Sequence, residues 1–158
     1  MLIYLLIGGN LGERENNLEI ARNWIAQKIG TIVLASSIYE TAAWGVTDQP
    51  DFLNQALLVK SEASPVALLD EIQWIETKMG RVRKRHWGER LIDIDILFYG
   101  QEIINSERLN IPHPGIPDRK FVLLPMREIA ADFVHPVLET TIESLSLACP
   151  DLLEVRKK

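Results

Sequence analysis

The stretch Leu91-Ile92-Asp93-Ile94-Asp95-Ile96-Leu97-Phe98 places isoleucine and aspartate at alternate positions. Side chains of a strand alternate between faces, so the pattern predicts a strand over 91–99 with its isoleucines facing the core. The two aspartates then share the other face, roughly 7 Å apart. Carboxylates this close repel each other, and Mg²⁺ prefers such oxygen ligands. One interpretation is a metal site, and the other is an edge strand with a solvated face.

The segment 81–90, just upstream, reads RVRKRHWGER. Guanidinium groups match phosphate oxygens, and Trp87 can stack on a flat ring. Alone, the segment is typical of a solvated basic loop. Beside two aspartates it predicts a site for a metal-bound polyphosphate, in which basic side chains neutralise charge during transfer.

Two further polar residues stand in unusual positions. Glu76 falls on the apolar arc of a helix predicted over 65–79, with Gln73 at the edge of that arc. A carboxylate there needs a partner, either a nearby arginine or a nucleotide, and the two are compatible. His113 lies between two prolines, a rigid setting that suits phosphate contact or proton transfer, although a loop histidine without a role is the alternative.

The segment 41–54 contains Trp44, Phe52 and Asn54. Aromatic rings and an amide can bind a flat heterocycle with polar edges. Core packing is the competing interpretation for Phe52.

The order of predicted elements is strand, helix, strand, strand, helix, strand. It resembles the split β-α-β arrangement of ferredoxin-like α+β folds, with a mostly antiparallel sheet flanked by helices and a short extra hairpin. The strands are predicted at 2–7, 31–39, 52–61, 91–99 and 102–105, and the helices at 13–29, 65–79, 121–131 and 141–148. Ser64 and Pro65 give the second helix an N-cap and a first-turn proline. We expect a single domain over 1–158, with composition favouring disorder only at 154–158.

Composition narrows the class of protein further. The 158 residues carry a formal net charge of -5, which argues against a protein that coats nucleic acid. One cysteine excludes an intrachain disulfide and favours a reducing, cytoplasmic compartment. The apolar residues 1–7 are too few to span a bilayer, so we expect no membrane association.

Several ordered blocks together resemble the 6-hydroxymethyl-7,8-dihydropterin pyrophosphokinase (HPPK) family of the folate pathway. The resemblance covers nearly the whole chain. Its blocks are Asp48-Gln49-Pro50-Asp51-Phe52-Leu53-Asn54, Gly80-Arg81-Val82-Arg83, Trp87-Gly88-Glu89-Arg90, Asp93-Ile94-Asp95-Ile96-Leu97, and Ile111-Pro112-His113-Pro114 with Arg119 and Phe121. Ala42-Ala43 and Pro114 depart from residues common in the family.

The resemblance implies transfer of pyrophosphate from the co-substrate ATP to the 6-hydroxymethyl group of the reduced pterin, with AMP as the second product. It implies two Mg²⁺ ions held by Asp93 and Asp95, and these two with Arg81, Arg83 and Arg90 as catalytic residues. The implied ATP-binding residues are Gln73, Glu76, Arg81, Arg83, Lys84, Trp87, Arg90, Ile96, His113 and Arg119. The implied pterin pocket comprises Thr41, Ala42, Trp44, Phe52, Asn54, Trp87 and Phe121.

Dihydropteroate synthase, the next enzyme of the pathway, is the candidate partner that the resemblance implies. The rival enzyme class is a metal-dependent nucleotidyltransferase on the same kind of fold, which releases pyrophosphate instead of AMP. A non-catalytic nucleotide- or pterin-binding module is the third interpretation.

Overall fold

The computed structural model describes residues 1–42, 50–80 and 91–158. Its strands are β1 (Leu2–Gly9), β2 (Gly30–Ala35), β3 (Tyr39–Thr41), β4 (Phe52–Ser61), β5 (Asp93–Tyr99), β6 (Ile104–Asn105), β7 (Asn110–Ile111) and β8 (Val155–Lys157). Its helices are α1 (Arg14–Lys28), α2 (Pro65–Lys78), α3 (Lys120–Ala130) and α4 (Ile142–Ala148), with a 3-10 turn at Ile116–Asp118. No helix in these described ranges is long and apolar enough to cross a membrane.

The main sheet is six-stranded and antiparallel at every pairing. Its order is β5-β1-β4-β3-β8. Strand β3 pairs with residues 52–54 of β4, and β2 pairs with residues 57–61 of the same strand. With β2 and β3 counted as one interrupted strand, this is the fourth-first-third-second order of a ferredoxin-like unit. The α+β class and the presence of a short extra hairpin are as predicted. The hairpin pairs β6 with β7, a strand that the sequence did not predict.

Each face of the sheet is covered by two helices. The α1/α2 face buries Leu18, Ile25, Leu68 and Ile72 from the helices together with the isoleucines of β5. The α3/α4 face buries Val122, Leu123, Met126 and Ile142 with the opposite side of β1 and β4. The predicted facing of Ile92, Ile94 and Ile96 is therefore confirmed, and Asp93 and Asp95 belong to the α3/α4 face.

The alternation in β5 ends after Ile96, because the register between β1 and β5 shifts between Tyr4 and Leu5. Leu97 and Phe98 consequently both pack in the α3/α4 core. The shift is the signature of a β-bulge, which places one extra residue in a strand and bends it.

The strand predicted over 31–39 is two strands, because Ser36 interrupts it. The Ser36 hydroxyl donates to the Ser37 carbonyl at 2.7 Å and accepts from the Ala56 amide at 3.0 Å. Gln55 donates its side-chain amide to the Ser36 carbonyl at 2.7 Å. Side chains thus take over the hydrogen bonds that a regular ladder would use, and the chain re-enters the sheet as β3.

The expectation of disorder at 154–158 is wrong. Residues Val155–Lys157 form β8, which pairs with β3 through Tyr39↔Lys157, Glu40↔Arg156 and Thr41↔Val155. Pairing with β8 makes β3 an interior strand. The charged side chains of β8, which composition alone would place in a solvated tail, therefore belong to the sheet.

Candidate active site

One row of residues crosses three strands at the end of the sheet where β1 finishes and β4 and β5 begin. Gly8 pairs with Asn54 on one side and with Asp93 on the other. Directly opposed residues of antiparallel strands share a face, so the amide of Asn54 and the carboxylate of Asp93 face the same side, roughly 10 Å apart. The row brings a buried amide and an acidic group to one surface.

Gly8 is the residue that makes this row possible. A Cβ at position 8 would lie 2.2 Å from Oδ1 of Asn54 and 2.8 Å from the Leu53 carbonyl oxygen. The Asn54 side chain therefore lies across the glycine backbone, in space that any other residue would fill. Asn54 itself is only 6% exposed, so its orientation is fixed by its surroundings.

The pterin residues implied at 41 and 52 continue the same surface. Phe52 lies two residues before Asn54 on β4, and Thr41 pairs directly with Phe52, so both share the face of the row. Thr41 is buried, and its hydroxyl has no hydrogen-bond partner among the residues that the structure describes. Phe121, in the first turn of α3, packs against the α3/α4 core. The structure thus brings Thr41, Phe52, Asn54 and Phe121 to one face, and their role in binding a pterin stays a prediction.

Glu76 reaches the strand that carries the two aspartates. Its Oε2 accepts a hydrogen bond from the backbone amide of Ile94, the residue between Asp93 and Asp95, at 2.9 Å. The carboxylate on the apolar arc of α2 therefore has a backbone partner that the sequence did not suggest. An additional arginine or nucleotide contact stays a prediction.

His113 is held against the same strand. Its backbone amide donates to the Leu97 carbonyl at 3.1 Å, and its ring Nδ1 accepts from the Gly115 amide at 3.0 Å. The Ile111–Pro112 peptide bond is cis. Burial and then the charge of Arg119 lower the pKa of His113, while Asp93 opposes the shift. The ring is accordingly neutral near pH 7, and the occupied Nδ1 leaves the proton on Nε2.

Arg119 connects the His113 loop to α3. A Cβ at Gly115 would lie 2.8 Å from the guanidinium carbon, so the arginine packs directly over this glycine. The same carbon lies 6.0 Å from the centre of the Phe121 ring. A positive charge therefore stands between the predicted nucleotide side, at His113, and the predicted pterin side, at Phe121.

The remaining predicted residues divide into three groups. Ile96 packs in the α1/α2 core, and Ala42 follows the end of β3. Gln73 accepts a hydrogen bond at 3.3 Å from Arg108, which also pairs with Asp70. Sequence reasoning assigned Arg108 no role, because a lone exposed arginine belongs to no motif. The residues predicted at Trp44, Arg81, Arg83, Lys84, Trp87 and Arg90 lie outside the described residues.

The donor set fits a hard divalent cation. Within the described ranges no group of three or more His, Cys, Asp and Glu side chains is placed to hold a metal ion. Asp93 and Asp95 are half-buried oxygen donors on one face of β5. Mg²⁺ is commonly bound by one or two carboxylates and completes its shell with water and substrate phosphates. The pair therefore suits an ion that arrives with a polyphosphate.

The site combines an acidic pair, a neutral histidine, an arginine and a buried amide. With the α+β fold, these groups define a class of enzyme suited to moving an anionic group onto a heterocyclic substrate. A family model described as 7,8-dihydro-6-hydroxymethylpterin-pyrophosphokinase (HPPK) matches residues 4–131. The chain belongs to this family. The family and the enzyme class predicted from the sequence are thereby confirmed.

Individual relatives agree with this assignment. A protein of Haemophilus influenzae named 2-amino-4-hydroxy-6-hydroxymethyldihydropteridine pyrophosphokinase is 47% identical over 134 residues, which are 84% of this chain and 84% of that protein. A protein of the same name from Methylorubrum extorquens is 42% identical over 152 residues, 96% of each chain.

Solved structures agree on the fold. Plasmodium falciparum HPPK-DHPS with pteroate superposes with a TM-score of 0.76 at 18% identity, over 93% of this chain and 42% of that chain. This chain thus spans less than half of that protein. The predicted ferredoxin-like fold is confirmed.

Proposed function

We propose that this chain transfers the pyrophosphoryl group of ATP to the 6-hydroxymethyl group of 6-hydroxymethyl-7,8-dihydropterin and releases AMP, as a step of folate biosynthesis. The observation that carries the proposal is the row Asn54–Gly8–Asp93, which sets a ring-recognising amide and a metal-type carboxylate on one face. The distance between them leaves room for a substrate whose ring meets the amide and whose hydroxymethyl group points toward the acidic pair.

The pterin would bind at Thr41, Phe52, Asn54 and Phe121. A pterin ring has two flat faces and an edge of alternating donors and acceptors. The Asn54 amide offers both a donor and an acceptor to that edge. The Thr41 hydroxyl, which has no hydrogen-bond partner within the described part of the chain, offers a further contact. Phe52 and Phe121 supply rings for stacking. Ala42, Trp44 and Trp87 complete the proposed pocket.

Asp93 and Asp95 would hold magnesium, with two ions expected. When bound, the metal would supply Lewis-acid chemistry and neutralise part of the negative charge of the phosphates. Glu76 fixes the backbone between the two aspartates, so that both carboxylates keep their positions when a charged substrate arrives. Ile96 and Gln73 belong to the proposed nucleotide side.

His113 and Arg119 would bind the phosphates. The neutral ring of His113 presents Nε2–H as a hydrogen-bond donor, because Nδ1 is engaged by Gly115. Arg119 adds a fixed positive charge beside it. Arg81, Arg83, Lys84 and Arg90 are proposed to stabilise the charge that spreads over the transferred group.

The chemistry asks for positioning more than for a protein nucleophile. The pterin hydroxyl oxygen forms a bond to the β-phosphorus as the bond from that phosphorus to the α,β-bridging oxygen breaks, and the bridging oxygen leaves with AMP. The hydroxyl proton passes to solvent or phosphate oxygen.

The decisive experiment incubates the chain with ATP, Mg²⁺ and the hydroxymethyl-dihydropterin and identifies the nucleotide product by chromatography. AMP with the pterin diphosphate supports the proposal. Released pyrophosphate with a nucleotidyl-pterin indicates a nucleotidyltransferase, and tight binding without turnover indicates a binding module.

The Asp95→Ala variant tests the metal assignment in the same assay. We expect kcat to fall on the order of 10³-fold or more, because a charged group that organises the transition state is lost. Asp132→Ala, a change of an exposed aspartate after α3, is the matched control and should keep full turnover. Near-normal turnover of Asp95→Ala would remove the metal role of the pair.

Three further parts of the proposal have indirect support. A single domain over 1–158 is supported by β8, which joins the end of the described chain to β3. A cytoplasmic location is supported by the use of ATP and by the single cysteine. Dihydropteroate synthase remains the candidate partner, because matched structures bear the name HPPK-DHPS.

A further inference from the structure

Glu40 of β3 lies between two arginines from distant parts of the chain. Arg14, the first residue of α1, donates to Oε2 of Glu40 at 2.8 Å. Arg156 of β8 donates to Oε1 at 3.2 Å, directly across the strand pair. Each carboxylate oxygen therefore has its own guanidinium, and Arg14 first among the causes lowers the pKa of Glu40.

The same two arginines also bind Asp51, at the other end of the segment that follows β3. Arg14 donates to the Asp51 backbone carbonyl at 2.9 Å, and Arg156 donates to its Oδ2 at 3.3 Å. We call the four residues Arg14, Glu40, Asp51 and Arg156 the arginine clamp. It balances two positive charges with two negative ones.

The clamp adjoins two residues of the proposed pterin pocket. Glu40 immediately precedes Thr41, and Asp51 immediately precedes Phe52. Successive strand residues face opposite sides, so the clamp lies on the face opposite to these pterin-side groups. The clamp can therefore set the strand register of Thr41 and Phe52, and the orientation of their side chains, without touching the substrate.

We infer that Arg14 and Arg156 are positioning residues for pterin binding, with the C-terminal strand β8 acting through Arg156. The inference rests on the proposed function. The Arg156 side chain is 47% exposed, so water screens its ion pairs and its removal should affect local geometry more than global stability. ATP is proposed to bind elsewhere, at β5 and the His113 loop. Loss of the clamp should therefore raise the KM for the pterin and leave the KM for ATP unchanged.

The test measures steady-state kinetics for Arg156→Ala, with ATP and pterin varied separately. We expect the KM for the pterin to rise roughly five- to tenfold, as for loss of a coupled contact. The KM for ATP and the thermal midpoint should stay near the wild-type values. Lys157→Ala is the matched control: it removes a neighbouring β8 side chain outside the clamp and should leave both KM values unchanged.

A double-mutant cycle distinguishes positioning from a general loss of structure. Glu40→Gln alone should raise the pterin KM, and Glu40→Gln with Arg156→Ala should raise it by less than the product of the two single effects. Glu40→Gln with Lys157→Ala should be multiplicative. If Arg156→Ala does not fold, the pterin KM of Glu40→Gln tests the inference instead. Arg156→Lys should recover part of the affinity for the pterin.

Three outcomes would overturn the inference. An unchanged pterin KM in a folded, active Arg156→Ala or Glu40→Gln variant removes the positioning role. Equal increases in the KM for ATP and for the pterin, with a lowered thermal midpoint, indicate a structural role only. Absence of AMP with the wild-type chain overturns the proposed function and this inference with it, whereas the first two outcomes leave the proposed function intact.

Discussion

Gly8 shows how a residue without a side chain can define a site. It lies between Asn54 and Asp93 in the sheet. The Asn54 side chain occupies the space that a Cβ at position 8 would need. The sequence presents Gly8-Gly9-Asn10 only as the end of a strand. Its importance arises from the pairing of three strands, which local sequence does not reveal.

Gly8→Ala should therefore disturb Asn54 more than the fold. The new Cβ would meet Oδ1 of Asn54 at 2.2 Å, so the side chain must move, and overpacking of this kind costs about 1–3 kcal/mol of unfolding free energy. We expect a higher KM for the pterin and a lower midpoint in urea unfolding. In an Asn54→Ala background, Gly8→Ala should change the pterin KM much less; an effect of the same size there would show that Asn54 is not the group displaced.

At the scale of elements, Glu128 attaches helix α3 to the sheet. Its Oε1 accepts from the Tyr39 hydroxyl at 2.7 Å, and its Oε2 accepts from the amide and hydroxyl of Ser37 at 2.9 and 3.1 Å. Burial and this hydrogen bond raise the pKa of Tyr39 to about 12. Burial raises the pKa of Glu128, but its hydrogen bonds outweigh that effect and lower it overall.

Glu128→Gln should loosen this attachment. The amide is uncharged and has only one acceptor oxygen, so either Tyr39 or Ser37 loses its acceptor and the remaining hydrogen bond is weaker; we expect a loss of about 1–3 kcal/mol in unfolding free energy. Glu143→Gln, in the first turn of α4 and outside this network, is the control. Urea denaturation of both variants measures the difference, and equal stabilities would show that Glu128 does not anchor α3.

The elements also show where pattern reading succeeds. The sequence predicts that Ser64 caps α2, and the Ser64 hydroxyl accepts a hydrogen bond from the Ala67 amide at 3.3 Å. Capping is a contact over three residues, so local sequence suffices. The break at Ser36 depends on Gln55, and the pairing of β8 depends on Tyr39. These partners are far away in the chain, so no local pattern predicts either feature.

At the scale of the whole molecule, His135 makes stability depend on pH. It is 4% exposed, its Nδ1 accepts from the amides of Val137 and Leu138, and its ring packs edge-on against Phe98. Burial lowers the pKa of His135, so the folded protein binds its proton less readily than the unfolded chain. The pKa of His113 shifts in the same direction.

Stability should consequently fall as the pH falls below about 6.5, the ordinary pKa of histidine. Above that pH both states hold neutral rings; below it the unfolded state takes up protons first, with a slope of at most about 1.4 kcal/mol per pH unit for each group. His135→Asn keeps an acceptor for the two amides and removes the titration. Unfolding free energies from urea titrations between pH 5 and 8 should show a shallower slope for the variant, and identical slopes would contradict this account.

The sequence by itself determined the strand that carries Asp93 and Asp95, the facing of its isoleucines and aspartates, the cap of α2 and the family. These follow from side-chain alternation, from capping contacts within a turn, and from ordered motifs. Only the tertiary structure decided that Asn54 and Asp93 share a row across Gly8, that Glu76 binds the backbone of Ile94, and that β8 completes the arginine clamp. The physical reason is that strand register and the approach of distant side chains are set by packing of the whole chain, which no short segment encodes.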